Sequence, residues 1–211
     1  MMRRDAAARI GVLIYDGVEP IDLGGTVGVI SMAARLLPGL CAVTIAARAG
    51  VVGCAGGLDV VAGFGFADAP DCAALIVAGG PGWPAAAASP ATLAFLRDRD
   101  PARLASVCTG ALILAAAGLL DGRDATTRRH ALGGESASPL DRLAALGARA
   151  RPAVLLDPPD GPATGGGVSL AHDMTLHLIG RLYGADAADE VARMIEYDRA
   201  RAANLAALGM G

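Results

Sequence analysis

Apolar runs alternate with segments of helical periodicity along the whole chain. Five runs are typical of buried strands, at 10–15, 41–47, 74–78, 104–107 and 154–157. Helical segments are predicted at about 20–36, 90–99, 111–117, 139–146, 168–183 and 186–197. The glycine-rich stretches 51–57 and 58–62 indicate a hairpin, and 123–127 a further short strand. This alternation predicts a mostly parallel sheet with helices on both faces. Since no repeat or linker interrupts it, we expect one domain over residues 1–211.

The stretch 104–118, LASVCTGALILAAAG, has the clearest chemical signal. A strand-type run leads into Cys108, and an alanine-rich helix begins after Thr109 and Gly110. A cysteine at such a junction sits on a sharp turn, where the positive end of the helix dipole favours the thiolate. The same kind of turn carries the serine of G-x-S-x-G motifs, where it is called a nucleophile elbow. We therefore interpret Cys108 as the reactive residue.

Other loops are expected to meet this cysteine. In a parallel sheet the loops after the carboxyl ends of the strands converge on one crevice. That topology predicts that Asp22, Gly79–Gly80, Cys108 and 165–167 lie together.

Three carboxylates follow the first strand and could manage protons for a cysteine. Glu19 and Asp22 are three residues apart and could share a helix face, whereas Asp16 lies in the preceding turn. A carboxyl beside a thiolate in a dry pocket should have a raised pKa and can act as a general acid. The residues alone leave Glu19 and Asp22 both open.

The remaining cysteines and the histidines give no metal signal. Cys41, Cys54 and Cys72 form no C-x-x-C pair, which argues against zinc and thioredoxin-type chemistry. His172 and His177 are five residues apart, not the four that would place both on one helix face for zinc. We expect no metal ion and no organic cofactor.

Composition and charge exclude several classes of function. Hydrophobic residues make up 54% of the chain and aromatic residues 3%, so the core must be built from Ala, Val, Leu and Ile. A net charge of −3 does not indicate binding to nucleic acid or to a membrane surface. Asp5, Arg9 and Asp16 interrupt any signal-peptide core, and the longest apolar run, 107–120, is too short to span a bilayer. We expect a cytoplasmic protein.

Four stretches also carry a family resemblance. They are SVCTGALIL…AAGLLDGRDATT around Cys108, PIDLGG at 20–25, VAGGPG at 77–82 and TGGGVS at 164–169. Together they resemble the ThiJ/PfpI superfamily, in particular its isocyanide hydratase-like branch. The amidase-like sensory domain of some AraC-type transcription regulators is similar. The resemblance implies a flavodoxin-like three-layer α/β sandwich of the class I glutamine amidotransferase type.

The resemblance also implies roles for individual residues. Cys108 is expected to be the covalent nucleophile, and I-D-L-G-G selects Asp22 as the general acid/base. Glu19 remains the runner-up, because a glutamate often fills this role in the wider superfamily.

The expected substrate-binding residues are glycines and backbone groups around the sulfur. Amides of Gly79, Gly80 and Thr109 would hold a developing anion, and Gly166 and Val168 would form the far wall.

Through the resemblance, the expected reaction is conversion of an isocyanide to an N-substituted formamide by way of a thioimidate. It needs no cofactor, and members of this branch are commonly homodimers.

Two positions depart from relatives. Thr109 follows Cys108 where PfpI-type proteases have a histidine, which disfavours protease chemistry. The segment ATTRRH reads A-T-T-H-W in relatives, so Arg128 occupies the place of a histidine. His130 is expected at the surface or behind the site rather than as a triad base.

Two other functions remain open. One is an oxidative- or carbonyl-stress protein, glyoxalase- or deglycase-like, in which Cys108 is oxidised or traps carbonyl electrophiles. The other is a non-enzymatic small-molecule sensor. AraC-type regulators continue into a helix-turn-helix module, and residues 199–211 are too few for one, so we expect no DNA binding here.

Overall fold

The computed structural model describes residues 8–210, which contain ten strands and nine α-helices. The strands are β1 (Ala8–Leu13), β2 (Leu40–Ile45), β3 (Gly50–Gly53), β4 (Asp59–Ala62), β5 (Ala74–Val77), β6 (Leu104–Ser106), β7 (Asp124–Ala125), β8 (Arg149–Ala150), β9 (Leu155–Leu156) and β10 (Ala163–Gly165). The helices are α1 (Pro20–Leu23), α2 (Val29–Ala33), α3 (Trp83–Ala88), α4 (Pro90–Arg97), α5 (Gly110–Ala116), α6 (Pro139–Ala145), α7 (Ala171–Tyr183), α8 (Ala185–Met194) and α9 (Asp198–Leu208).

A six-stranded sheet with the order β2-β1-β5-β6-β10-β9 forms the centre of the fold. Neighbours from β2 to β10 pair in parallel, and β9 pairs antiparallel with β10 at the edge. The expected three-layer sandwich with a mostly parallel sheet is therefore confirmed. The predicted hairpin is also confirmed, because β3 and β4 pair antiparallel as a separate two-stranded sheet.

Helices cover both faces of the sheet, so its central strands are apolar throughout rather than alternating. Along β5, Ala74 and Ile76 face one core, which is shared with α2, α7 and α8. Leu75 and Val77 face the other core, which is shared with α4 and α5. All four side chains are buried, as the uninterrupted run ALIV predicts.

Several element boundaries differ from the sequence prediction. The helix expected at 20–36 is α1 and α2 joined by a π-helical turn, Gly24–Gly28. The helix expected at 168–183 begins as a 3₁₀ turn, Val168–Leu170, before α7. The short strand expected at 123–127 is β7, which pairs with β8 outside the main sheet.

Two helices were missed. The run that forms α3 is mostly alanine and has no apolar periodicity, although a proline in its first turn is a helix-start signal. In α9 no side chain is buried, so its sequence lacks the apolar face that marks a helix.

None of the helices in residues 8–210 is long and apolar enough to cross a membrane.

Candidate active site

Loops from four neighbouring strands meet at one edge of the sheet. The loop after β1 bonds to the loop after β5, where the Glu19 amide donates to the Gly79 carbonyl over 2.9 Å. The turn after β6 bonds to the loop after β10, where the Cys108 amide donates to the Gly166 carbonyl over 3.0 Å. The predicted convergence of these loops is confirmed.

Cys108 and Asp22, which we call the reactive pair, lie on either side of Gly79. An ideal Cβ built on Gly79 would lie 2.7 Å from the Cys108 Cβ and 2.8 Å from Asp22 Oδ2. It would also lie 2.6 Å from the Thr109 amide nitrogen. Only glycine fits here, because any side chain would push the reactive pair apart.

The backbone of Cys108 is held in a strained conformation. Its φ of +51° is in the left-handed region that non-glycine residues rarely adopt. The Gly166 carbonyl accepts from its amide, and its own carbonyl accepts from the Thr127 hydroxyl over 2.6 Å. Gly110 follows in van der Waals contact with β5, since a Cβ there would lie 2.0 Å from the Val77 carbonyl oxygen. The geometry is similar to the strained strand-to-helix turn of a nucleophile elbow.

The sulfur lies in a buried site, and Cys108 is only 4% exposed. Burial, followed by the nearby charge of Asp22, raises the pKa of the thiol to about 11. Hydrogen bonds from the backbone amides of Val168 and Thr109, and the charge of Arg128, lower it in part. Burial therefore opposes the thiolate that the start of the helix is expected to favour, and the two backbone amides offset only part of that effect.

Asp22 is a buried carboxyl with one unpartnered oxygen. Its Oδ2 accepts from the Gly79 amide over 2.8 Å, whereas Oδ1 has no hydrogen-bond partner among the described residues. Burial raises the pKa of Asp22 to about 7, although the Gly79 hydrogen bond opposes this shift. The Glu19 charge raises this pKa further and Arg128 lowers it. Near neutral pH, Asp22 can therefore both hold and release a proton.

The two candidate acids differ in their surroundings. Asp22 is fully buried against Cys108, whereas Glu19 is only half-buried. Asp16 is exposed and accepts from the Gly53 amide. These positions favour Asp22 as the carboxyl that serves the sulfur.

Two of the three amides expected to hold a developing anion already donate hydrogen bonds within the protein. Gly79 donates to Asp22, and Gly80 donates to the Thr109 hydroxyl over 2.9 Å, so both are already engaged. A developing anion would have to displace Asp22 and Thr109 from these two amides, so their role toward an anion stays a prediction. The amides of Thr109 and Val168 lie near the sulfur and lower the pKa of Cys108.

Gly166 and Val168, expected to form the far wall of the substrate site, lie in the turn after β10 beside Cys108. The Gly166 amide donates to the Val154 carbonyl over 2.8 Å, which fixes the turn to the adjacent chain. Val168 has a φ of +57°, a genuine outlier for a β-branched residue. Backbone strain of this kind persists only where the surrounding contacts hold it in place.

Two contributing residues escaped the sequence reasoning. The Tyr15 hydroxyl, at the end of β1, donates to the Ala78 carbonyl over 3.0 Å. Burial and the charges of Asp22 and Cys108 raise the pKa of Tyr15 well above its usual range. Its position as the last residue of the predicted strand 10–15 was the available signal. No sequence signal pointed to Thr127, whose hydroxyl donates to the Cys108 carbonyl.

The histidines lie apart from the reactive pair. His130 is exposed, the His172 Nδ1 lies 2.9 Å from the Ser169 carbonyl, and His177 pairs with Asp157. The part of the chain that the structure describes contains no cluster of three or more residues suited to a metal ion.

Comparison with known proteins identifies relatives of this chain. The DJ-1/PfpI family model matches residues 8–134. The isonitrile hydratase of Pseudomonas putida is 32% identical over 195 residues, which cover 90% of this chain and 79% of that protein. The HTH-type transcriptional regulator GbdR of Pseudomonas aeruginosa is 33% identical over 147 residues, 69% of this chain but only 38% of the regulator.

Solved structures agree as well. A ThiJ/PfpI family protein from Pseudomonas syringae superposes with a TM-score of 0.77 at 30% identity, covering 97% of this chain and 88% of that one. Drosophila melanogaster DJ-1beta shares the fold, with a TM-score of 0.75 at 16% identity over 90% of this chain and 98% of its own. From its residues, its fold and these relatives, the chain belongs to the DJ-1/PfpI family.

Proposed function

We propose that this protein is a cysteine-dependent isocyanide hydratase, which converts an isocyanide and water to an N-substituted formamide. The observation that carries the proposal is the buried arrangement around Gly79, where the Cys108 side chain and a carboxyl with a pKa of about 7 both lie against the same glycine. The similarity to the isonitrile hydratase of Pseudomonas putida supports the same chemistry.

The first half of the reaction uses both members of the reactive pair. The Asp22 carboxylate takes the thiol proton while the Cys108 sulfur bonds to the terminal isocyanide carbon. Asp22 then gives that proton to the same carbon, which yields a thioimidate, R–N=CH–S–Cys. A thiol with a pKa of about 11 needs such a base, because only about one molecule in ten thousand is ionised at pH 7.

The second half consumes water. Its oxygen bonds to the thioimidate carbon, and Asp22 relays a proton from the water to the nitrogen, giving R–NH–CH(OH)–S–Cys. The carbon–sulfur bond then breaks, the hydroxyl proton passes through Asp22 to sulfur, and R–NH–CHO leaves. The amides of Thr109 and Val168 stabilise negative charge on the sulfur as it departs.

The pKa of the thiol disfavours the oxidative-stress alternative. Oxidation and carbonyl trapping follow thiolate character and exposure. Cys108 is only 4% exposed and burial raises its pKa, and both properties oppose oxidation and carbonyl trapping of the resting thiol.

We further propose that the protein acts in the cytoplasm as a homodimer. The surface we assign to the second copy is the outer face of the β3–β4 hairpin. There Val51 and Val61 pair directly across the strands and are 72% and 65% exposed. An exposed apolar pair of this kind is typical of a surface that a partner covers.

The test is formamide formation from an aryl isocyanide, followed in the ultraviolet. We expect turnover by the wild type, none by Cys108→Ala, and a loss of at least about a hundredfold in Asp22→Asn, the scale of general acid–base catalysis. Cys54→Ala, which removes another buried free thiol, is the matched control.

Three results would count against the proposal. Turnover that survives Cys108→Ala would exclude covalent catalysis by this cysteine. Full activity in Asp22→Asn together with loss in Glu19→Gln would transfer the acid/base role to Glu19. Methylglyoxal turnover without formamide formation would favour the carbonyl-stress alternative.

A further inference from the structure

Arg128 is a buried cation beside the reactive pair with no part in the reaction described above. Its side chain is 10% exposed. One guanidinium nitrogen pairs with Glu135 Oε1 over 2.6 Å, and another donates to the His130 carbonyl. Glu135 is fixed in turn, because its second oxygen accepts from the Leu132 amide over 2.7 Å. The guanidinium is therefore held at two points.

The stem of Arg128 packs on the turn that faces the sulfur. A Cβ built on Gly167 would lie 2.7 Å from both Cβ and Cγ of Arg128. Gly167 is flanked by Gly166, whose carbonyl accepts from the Cys108 amide, and by the strained Val168, whose amide lowers the pKa of Cys108. Contact between Arg128 and Gly167 thus restrains the segment that supplies a donor to Cys108.

A charged side chain is not needed for that packing. An unbranched apolar side chain would cover Gly167 equally well, and buried ion pairs add little stability over apolar substitutes. What the guanidinium adds is a buried positive charge, paired with Glu135, on a side chain that packs against the turn beside Cys108. It lowers the pKa of both Cys108 and Asp22.

We propose that Arg128 is a positioning residue for the nucleophile: anchored by Glu135 and packed on Gly167, it holds a positive charge beside Cys108 and favours the ionised sulfur. The inference rests on the proposed role of Cys108 as nucleophile, but not on the identity of the substrate. The charged groups that act on the sulfur are Asp22 in α1 and Arg128 after β7. Glu135 offsets part of the Arg128 charge through its ion pair, and the buried Tyr15 after β1 has its own pKa raised by Cys108.

The test is the rate at which iodoacetamide alkylates Cys108 as a function of pH, followed by mass spectrometry of the peptide that contains it. Arg128→Met keeps an unbranched stem and removes the charge, and Arg128→Gln does the same while retaining a polar end. We expect both to alkylate about tenfold more slowly at pH 7.5 and to shift the profile about one unit upward. Arg128→Lys keeps the charge and should stay within about threefold of the wild type.

Arg129→Met is the matched control, since it removes a neighbouring cation that is only half-buried. It should leave the profile unchanged. An unchanged profile in Arg128→Gln, or a loss in Arg128→Lys as large as in Arg128→Gln, would overturn the proposal. If Arg128→Met does not fold, Arg128→Gln decides. Because no isocyanide is used, these results are independent of whether formamide forms.

Discussion

Asp22→Asn should stabilise the fold while abolishing turnover, and the size of that gain should depend on pH. Burial raises the pKa of this carboxyl from its ordinary value of 3.8 to about 7. Because the folded state binds the proton more tightly than the unfolded state, the protein loses stability as pH rises from about 4 to about 7. Asparagine cannot ionise, so the variant escapes this loss.

The magnitude follows from the shift. Each pKa unit is worth 1.36 kcal/mol, so about three units correspond to about 4 kcal/mol in total. With the same two pKa values, about 2.5 kcal/mol of this falls between pH 5 and pH 8. The unpaired amide that asparagine introduces adds a penalty of about 1–3 kcal/mol, but that penalty is the same at both pH values.

The assay is urea unfolding of wild type and Asp22→Asn at pH 5 and pH 8. The stability difference between them should shift in favour of the variant by about 2.5 kcal/mol at the higher pH. Asp160→Asn, at an exposed carboxyl, controls for the chemical exchange itself. A shift below about 0.5 kcal/mol would refute the reasoning, because Asp22 would then titrate alike in the folded and unfolded chain.

Three further substitutions test the geometry of the site and the surface. Gly79→Ala forces a Cβ within 2.8 Å of both reactive side chains, so formamide formation should fall by about a hundredfold; near wild-type rates would show that the site can relax. Thr127→Val leaves the buried Cys108 carbonyl unpaired and should lower the free energy of unfolding by about 1–3 kcal/mol in urea, whereas no change would mean that the bond is dispensable. Val51→Lys should yield monomers in size-exclusion chromatography with light scattering. Leu146→Lys, at another exposed apolar side chain, should remain dimeric. A dimer of Val51→Lys would exclude the hairpin surface as the dimer interface.

Much of the fold was predictable, because the strands are buried on both faces and read as uninterrupted apolar runs. Cys108 was found for a related reason: it stands where such a run meets a helix start. The π-helical turn at Gly24–Gly28 was not predictable, since its distinguishing feature is a hydrogen-bond register rather than a residue pattern.

The ionisation state of the site was less accessible to sequence reasoning. The dipole of a nearby helix can be inferred from a motif, but the pKa of Cys108 is set first by burial, which depends on every neighbour at once. The hydrogen-bond partners of the Gly79 and Gly80 amides were inaccessible for a similar reason. Only the folded chain shows that the Asp22 carboxyl and the Thr109 hydroxyl already accept hydrogen bonds from these amides, which the sequence assigns to a developing anion.

The hydrogen bonds that hold the main chain of Cys108 have a consequence for replacing its sulfur by oxygen. The Gly166 carbonyl and the Thr127 hydroxyl hold its backbone from two sides, so the location of the side chain does not depend on sulfur. In Cys108→Ser an oxygen would therefore occupy nearly the same point in space. The difference in rate between the two enzymes would then report the intrinsic reactivity of a thiol against an alcohol, free of any displacement of the scaffold.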